Sequence, residues 1–300
     1  MSKFPDPRLG ELIVPYSEDS LQQYNVILFG VPTDEGIRRN GGRVGAAEAP
    51  NEIRKQLAKL TPWASNGTIS ALKIADYGNI SGATLEEIHS EAKKVTTRFI
   101  EAGKIVIALG GGHDITFPLA SGFHDGIAKK DFSLVNIDAH LDVREKKEDL
   151  HHSGSSFRLL IEEHILHGKN FTEFGVQQFS FAESHLQWVS HKGAKAVFYE
   201  DISQKDVGNK FRTMLPAELP LYLSFDIDSV RSSDAPGCSA PSPIGFRSED
   251  ALGICFEAGR HDTTRMLDIA EVNPLFDFDN RTSKLAARMI AWFLLGVSER

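Results

Sequence analysis

Short apolar runs alternate with longer amphipathic stretches along this chain. The runs Asn25–Phe29, Leu72–Asp76, Lys104–Leu109, Phe132–Ile137, Phe171–Val176, Lys195–Tyr199, Leu221–Phe225 and Met266–Ala270 are rich in β-branched and aromatic residues. Most are apolar at nearly every position, which predicts parallel strands covered on both faces. Between them the period lengthens. Thr84–Glu101 is the clearest helix, because Leu85, Ile88, Ala92, Val95 and Phe99 recur at three- and four-residue steps. Thr84 is placed as its N-cap, with Glu87 three residues on, and Gly103 stops it. Ala47–Leu60, Phe157–Ile165, Ser180–Ser190, Ser248–Ala258 and Thr282–Leu295 are further predicted helices. Eight such alternations fit either a closed barrel or an open sheet between helices, and periodicity does not choose. Thr33–Gly45 and Arg231–Gly245 read as long loops at the mouth of a site, and with no long linker the expectation is one domain over residues 1–300.

Composition narrows the class. The 300 residues are 41% hydrophobic, with 41 acidic against 33 basic side chains and a net charge of −8. That balance argues against a nucleic-acid partner and offers nothing to an anionic membrane surface. The apolar runs fall far short of the roughly 20 residues of a membrane span. Met1–Leu12 lacks the basic start and apolar core of a secretory leader. Cys238 and Cys255 allow at most a single disulfide. A cytoplasmic protein is the expectation.

Four segments place polar residues directly after a predicted strand: Gly110-Gly111-Gly112-His113-Asp114, Asp138-Ala139-His140-Leu141-Asp142, Asp226-Ile227-Asp228 and Glu271-Val272-Asn273-Pro274. In α/β folds ligands bind outside the carboxyl ends of strands, where these would converge. Alternate residues of an extended segment share a side, so Asp138, His140 and Asp142 form one face, and Asp226 and Asp228 another. With His113 the set holds four carboxylates and two imidazoles. So many buried carboxylates cannot all stay ionised without cations. A pair of divalent metals bridged by carboxylates resolves the conflict, and the oxygen-rich, thiolate-free donors suit Mn²⁺. Taken singly, each residue has a plainer reading: a strand-end aspartate as a turn former, a lone histidine as structural, the glycine run as a phosphate-binding turn.

Together, GGGHD, NIDAHLD, SFDID and AEVNP resemble the signature segments of the arginase (ureohydrolase) superfamily. The resemblance implies a three-layer α/β/α fold with a central parallel eight-stranded sheet. It implies two Mn²⁺ per subunit: one held by His113, Asp138, Asp142 and Asp226, the other by His140, Asp138, Asp226 and Asp228, with Asp138 and Asp226 bridging. A hydroxide held between the metals would be the nucleophile, because two cations lower the pKa of water. Glu271 resembles the carboxylate that orients the cationic amidine group. The superfamily includes trimers and hexamers, which makes a homo-oligomer compatible, although no segment here marks an interface.

Within the superfamily, Asp142-Val143-Arg144 followed by Ser153-Gly154-Ser155-Ser156-Phe157-Arg158 looks like the formimidoylglutamase branch, and the loop Arg38–Gly45 is similar to the same branch. Its substrate, N-formimidoyl-L-glutamate, carries one cationic amidine and two carboxylates. Ser153 is expected among the substrate-binding residues, with Arg144 and Arg158 as bidentate carboxylate clamps. The histidine that shuttles protons in arginases has no counterpart among Ser155–Arg158, and His151 and His152 read as exposed loop residues. Asp142 is therefore expected to relay the nucleophile's proton to the departing amine, with Glu271 as the other catalytic residue. The expected reaction yields L-glutamate and formamide, as in histidine degradation. Two alternatives stand beside it: hydrolysis of another acidic guanidino compound such as guanidinobutyrate, releasing urea, and a non-catalytic arginase-like binding protein. Asp or His at all six ligand positions speaks against the last.

Overall fold

Apolar runs flanked by amphipathic helices fold here into one open sheet. The computed structural model describes residues 6–65, 67–128, 131–202 and 206–300, so residues 1–5 of the leader reading lie outside the described residues. The strands of this sheet are β1 (Ile13–Pro15), β2 (Val26–Gly30), β3 (Ile74–Asn79), β4 (Ile105–Leu109), β5 (Ser133–Ile137), β6 (Phe171–Val176), β7 (Lys195–Phe198), β8 (Leu221–Asp226) and β9 (Thr264–Ala270). They lie in the order β1-β3-β2-β4-β9-β8-β5-β6-β7, every pairing parallel. The sheet is open, with edges at β1 and β7, which excludes the closed barrel.

The sheet has nine strands, not eight. The extra one, β1, is three residues long and largely exposed, so it lacks the apolar run by which the others are legible. Strands β2, β5 and β8 are buried at every residue, as continuous apolar runs require.

The helices are α1 (Glu35–Asn40), α2 (Ala49–Leu57), α3 (Leu85–Glu101), α4 (Thr116–Gly126), α5 (Ser156–Glu162), α6 (Glu183–His191), α7 (Val207–Arg212), α8 (Ser248–Arg260) and α9 (Arg281–Ser298). Helices α2, α7, α8 and α9 share one core on one face of the sheet. Helices α3, α4, α5 and α6 share a second core on the other. Thr84 caps α3 as expected, its Oγ1 accepting the Glu87 N–H at 3.2 Å while Glu87 Oε2 accepts the Ala83 N–H at 2.7 Å. Helices α8 and α9 touch at Gly259 and Gly296, where a Cβ on either would strike the other helix's backbone.

One sequence expectation is corrected here, and one helix was missed. Thr33–Gly45 is not all loop: it contains α1, closed by Gly41 at φ +84°, the left-handed cap that glycine adopts without strain. Helix α4 has no predicted counterpart, because Thr116–Phe123 is buried almost all round and shows no polar face to reveal its period. No helix among the described residues is long and apolar enough to cross a membrane.

Candidate metal centre and substrate cavity

Four neighbouring strands, β4, β9, β8 and β5, deliver the chemistry from their carboxyl ends. β4 and β5 are consecutive in the chain around α4, yet β9 and β8 lie between them in the sheet. Beyond β4 the glycine run passes tightly under the β2 exit. Gly111 N–H donates to Val31 O at 3.0 Å and Gly112 N–H to Thr33 O at 2.9 Å, and a Cβ on Gly111 would collide with the Thr33 backbone. The run is thereby accounted for as a close crossing that aims His113 inward. His113 is fixed at three further points: its N–H donates to Glu271 Oε1 at 2.9 Å, its carbonyl accepts from Ser156 Oγ at 2.8 Å, and its Nε2 lies 3.0 Å from Ser224 Oγ.

His113 Nδ1 faces three carboxylates: Asp142 Oδ2 at 3.0 Å, Asp226 Oδ2 at 3.2 Å and Asp138 Oδ2 at 3.3 Å. His140 Nδ1 lies 3.2 Å from Asp228 Oδ2 and 3.3 Å from Asp138 Oδ1. These are two groups of potential ligand atoms, each within 4.8 Å of one another. Asp138 contributes one oxygen to each. Asp226 is gathered into the first group, and its Oδ1 accepts the Asp228 N–H at 2.8 Å.

The donors fit divalent cations. Asp228 Oδ1 is buried without a hydrogen-bond partner, as an oxygen awaiting an ion would be. Burial, then repulsion from Asp228 and Asp138, raises Asp226 well above the usual carboxylate range. Burial also raises Asp228, against the pull of His140. The Asp228 charge, opposed by burial, raises His140 well above neutrality. Burial pushes Glu271 up to about 8, with the His113 N–H working against it. Carboxylates and imidazoles alone thus compete for protons here, and hard oxygen and nitrogen donors with a shared carboxylate match a pair of ions such as Mn²⁺. Two of these residues also hold strained backbone, Asp142 at φ +44° and Glu271 at φ +64°. Such left-handed non-glycine residues cost about 1–3 kcal/mol and cluster at functional sites.

A cavity of about 310 Å³ opens over the two groups, lined by His140, Asp142, Asp226, Asp228 and Glu271 at its floor and by Asn40, Arg144, Ser153 and Ser239 among its other walls. A family profile covers the chain that builds it: the arginase family's sequence model matches residues 24–296. The chain belongs to the arginase family. Formimidoylglutamase of Klebsiella pneumoniae subsp. pneumoniae is 31% identical over 280 residues, covering 89% of this chain and 84% of that one. The enzyme of that name from Paraburkholderia xenovorans is 29% identical over 301 residues, covering 94% and 91%. A crystal structure of Trypanosoma cruzi formiminoglutamase with two Mn²⁺ ions superposes with TM-score 0.93 at 33% identity, covering 98% of this chain and 99% of that one.

For this arginase-family chain the wall residues sort unevenly. Arg144 reaches the cavity, its Nη1 donating to Asn40 Oδ1 at 3.1 Å, while Asn40 Nδ2 donates to Ser153 Oγ at 3.0 Å. Arg158 does not. It lies on α5, paired with Glu145 and Glu162 at 2.9 Å each and stacked 5.1 Å over Trp188, so its charge is already matched outside the cavity. Arg158, expected as a second clamp, is not among the described residues that line the cavity. His151 and His152 are not exposed either. His152 is buried, its Nε2 2.9 Å from Glu145 O and its Nδ1 accepting the Gly154 N–H. Burial, helped by His89, lowers His151 well below the histidine range. Cys238 is buried, its thiol 3.9 Å from Ala235 O and pushed up by burial, which disfavours the thiolate. Asn40 and Ser239 were missed from sequence: Asn40 ends a helix too short to show a period, and Ser239 is one polar residue within a long loop.

Proposed function

We propose that the protein is a binuclear manganese hydrolase that converts N-formimidoyl-L-glutamate and water into L-glutamate and formamide. The observation that carries this is Arg144. It is the one arginine among the described lining residues, and it stands in the wall of a cavity whose floor is otherwise acidic. A substrate with a cationic amidine at one end and carboxylates at the other matches that polarity. The relatives named above, formimidoylglutamases at about 30% identity, support the same reading. Six residues would hold two Mn²⁺ ions: His113, Asp138, Asp142 and Asp226 on one side, with Asp138, His140 and Asp228 on the other. Bound there, the ions lower the pKa of water and so supply a nucleophile near neutral pH.

The chain's own groups do the rest. Glu271, anchored by the His113 N–H, receives the amidine cation. Arg144 and the Ser153 hydroxyl receive the carboxylate end, held in place by Asn40 between them. Asp142 accepts the proton of the attacking water and returns it to the α-nitrogen as the carbon–nitrogen bond breaks, leaving formamide and the free amine of glutamate. The test is product analysis with Mn²⁺-loaded protein across a panel of amidino and guanidino acids. Formamide from N-formimidoyl-L-glutamate, with little urea from arginine, is expected. Urea from guanidinobutyrate in place of formamide would establish the guanidino alternative, and no product with Mn²⁺ bound would leave a binding protein.

A further inference from the structure

Asn136 and Glu173 are cross-strand neighbours, in register between β5 and β6, and both are fully buried. Asn136 stands two residues before Asp138, so the two side chains leave the same side of the chain. Its amide nitrogen donates twice, to Glu173 Oε2 at 2.9 Å and to Asp138 Oδ2 at 3.1 Å. That uses both amide hydrogens. Two oxygens are then left over on adjoining groups: Asn136 Oδ1 and Glu173 Oε1 are each buried without a hydrogen-bond partner.

A buried oxygen left without a hydrogen-bond partner is unfavourable. One proton answers both, because a carboxylic acid and a carboxamide pair edge to edge, the amide N–H on one side and the acid O–H on the other. An ionised Glu173 answers neither, since it has no hydrogen to donate. We infer that Glu173 is held as a neutral carboxylic acid whose O–H is donated to Asn136 Oδ1, and that this pair positions Asp138 for the metals. Burial, reinforced by the charges of Asp138 and Asp142, raises Glu173 well above the carboxylate range, in agreement with that state. The pairing fixes which way the amide faces. With Oδ1 committed to the acid, Nδ2 must present its second hydrogen to Asp138, the carboxylate with an oxygen in each ligand group. Glu173 is therefore a positioning residue, acting through Asn136, and this part of the inference rests on the metal reading above.

Glu173→Gln separates the roles, because an amide N–H replaces the acid O–H and the pair stays neutral. In the infrared difference spectrum of Mn²⁺-loaded wild type minus Glu173→Gln, a protonated-carboxyl C=O stretch is expected. Its absence overturns the neutral acid. In Mn²⁺ titrations of metal-depleted protein, followed by the signal of free Mn²⁺, Glu173→Gln is expected to match wild type. Glu173→Leu, which fills the space without a polar edge, is expected to bind about 10–100-fold more weakly. Equal losses in both variants, or none in either, overturn the positioning role. Should Glu173→Leu not fold, Asn136→Asp takes its place: it removes the hydrogens facing Asp138, and unchanged affinity in it overturns the same role. Wild type that binds no Mn²⁺ sinks the metal reading instead, and the same difference spectrum taken on the metal-free proteins then decides the proton.

Discussion

Asp142 combines a left-handed backbone, φ +44°, with a carboxylate 3.0 Å from His113 Nδ1. The backbone strain is tolerated because it turns the chain from the β5 exit toward the cavity. In the proposed reaction its carboxylate also moves the proton, so Asp142→Asn should lower kcat by roughly 100-fold or more at full Mn²⁺ occupancy. Metal analysis beside steady-state kinetics checks this, and wild-type turnover at full occupancy excludes the relay. Arg144 makes a different prediction. A charge-assisted contact is worth about 1.5–3 kcal/mol, so Arg144→Ala should raise KM about 10–100-fold for the acidic substrate. The change belongs mainly in KM if the contact is already made in the bound substrate, which full kinetic curves will show.

Helix α5 explains why two arginines that look equivalent in sequence are not. Arg144 comes from the irregular segment after β5, and its guanidinium donates to the neutral Asn40. Arg158 sits on α5 with glutamates at hydrogen-bond distance on both sides and an indole beneath it. A guanidinium so matched is part of the packing between α5, α6 and the intervening loop. Arg158→Ala should therefore leave KM unchanged while lowering Tm by about 2 °C, the size expected from exposed ion pairs plus one stacking contact. A KM rise equal to that of Arg144→Ala would return Arg158 to the substrate site. Helix α1 has the complementary lesson. Six residues are too few for a legible period, yet this element delivers Asn40 to the cavity wall.

For the whole molecule, the centre couples metal, proton and stability. Burial raises Glu271 from about 4.5 to about 8 and Asp268 to about 6. A carboxyl raised in the fold keeps its proton where the unfolded chain has released it. Its contribution is therefore full below the unfolded pKa and is lost as pH rises through the folded one. His113 and His140, raised well above 6.5 by their carboxylates, act in the same direction at higher pH. Asp138 runs the other way, lowered far below 3.8 by His113 and His140 despite its burial, and it costs stability only in strong acid. Chelated protein should therefore lose Tm as pH rises from about 4.5 to about 8. Adding Mn²⁺ should raise Tm more at pH 8 than at pH 6, because bound ions favour the ionised carboxylates and compete with protons for them. Calorimetry across that range checks the sign.

The sequence by itself determined the eight long strands, the capped helix α3 and the four strand-end segments that carry His113, Asp138, His140, Asp142, Asp226, Asp228 and Glu271. These were legible because buried parallel strands are apolar throughout and because ligand spacing on an extended segment survives as a short motif. Even the net charge of −8 reads differently once five acids stand at one centre. Periodicity left sheet and barrel open and the family resemblance implied the sheet, but tertiary structure alone decided the edge strand β1 and α4 hidden by its own burial. It also decided which arginine faces the cavity, and it set Glu173 beside Asn136 across a strand register that spans 37 residues of chain. Those are properties of pairs distant in sequence. A side chain's charge is written in the chain, but what neutralises it is fixed only when the chain folds back on itself.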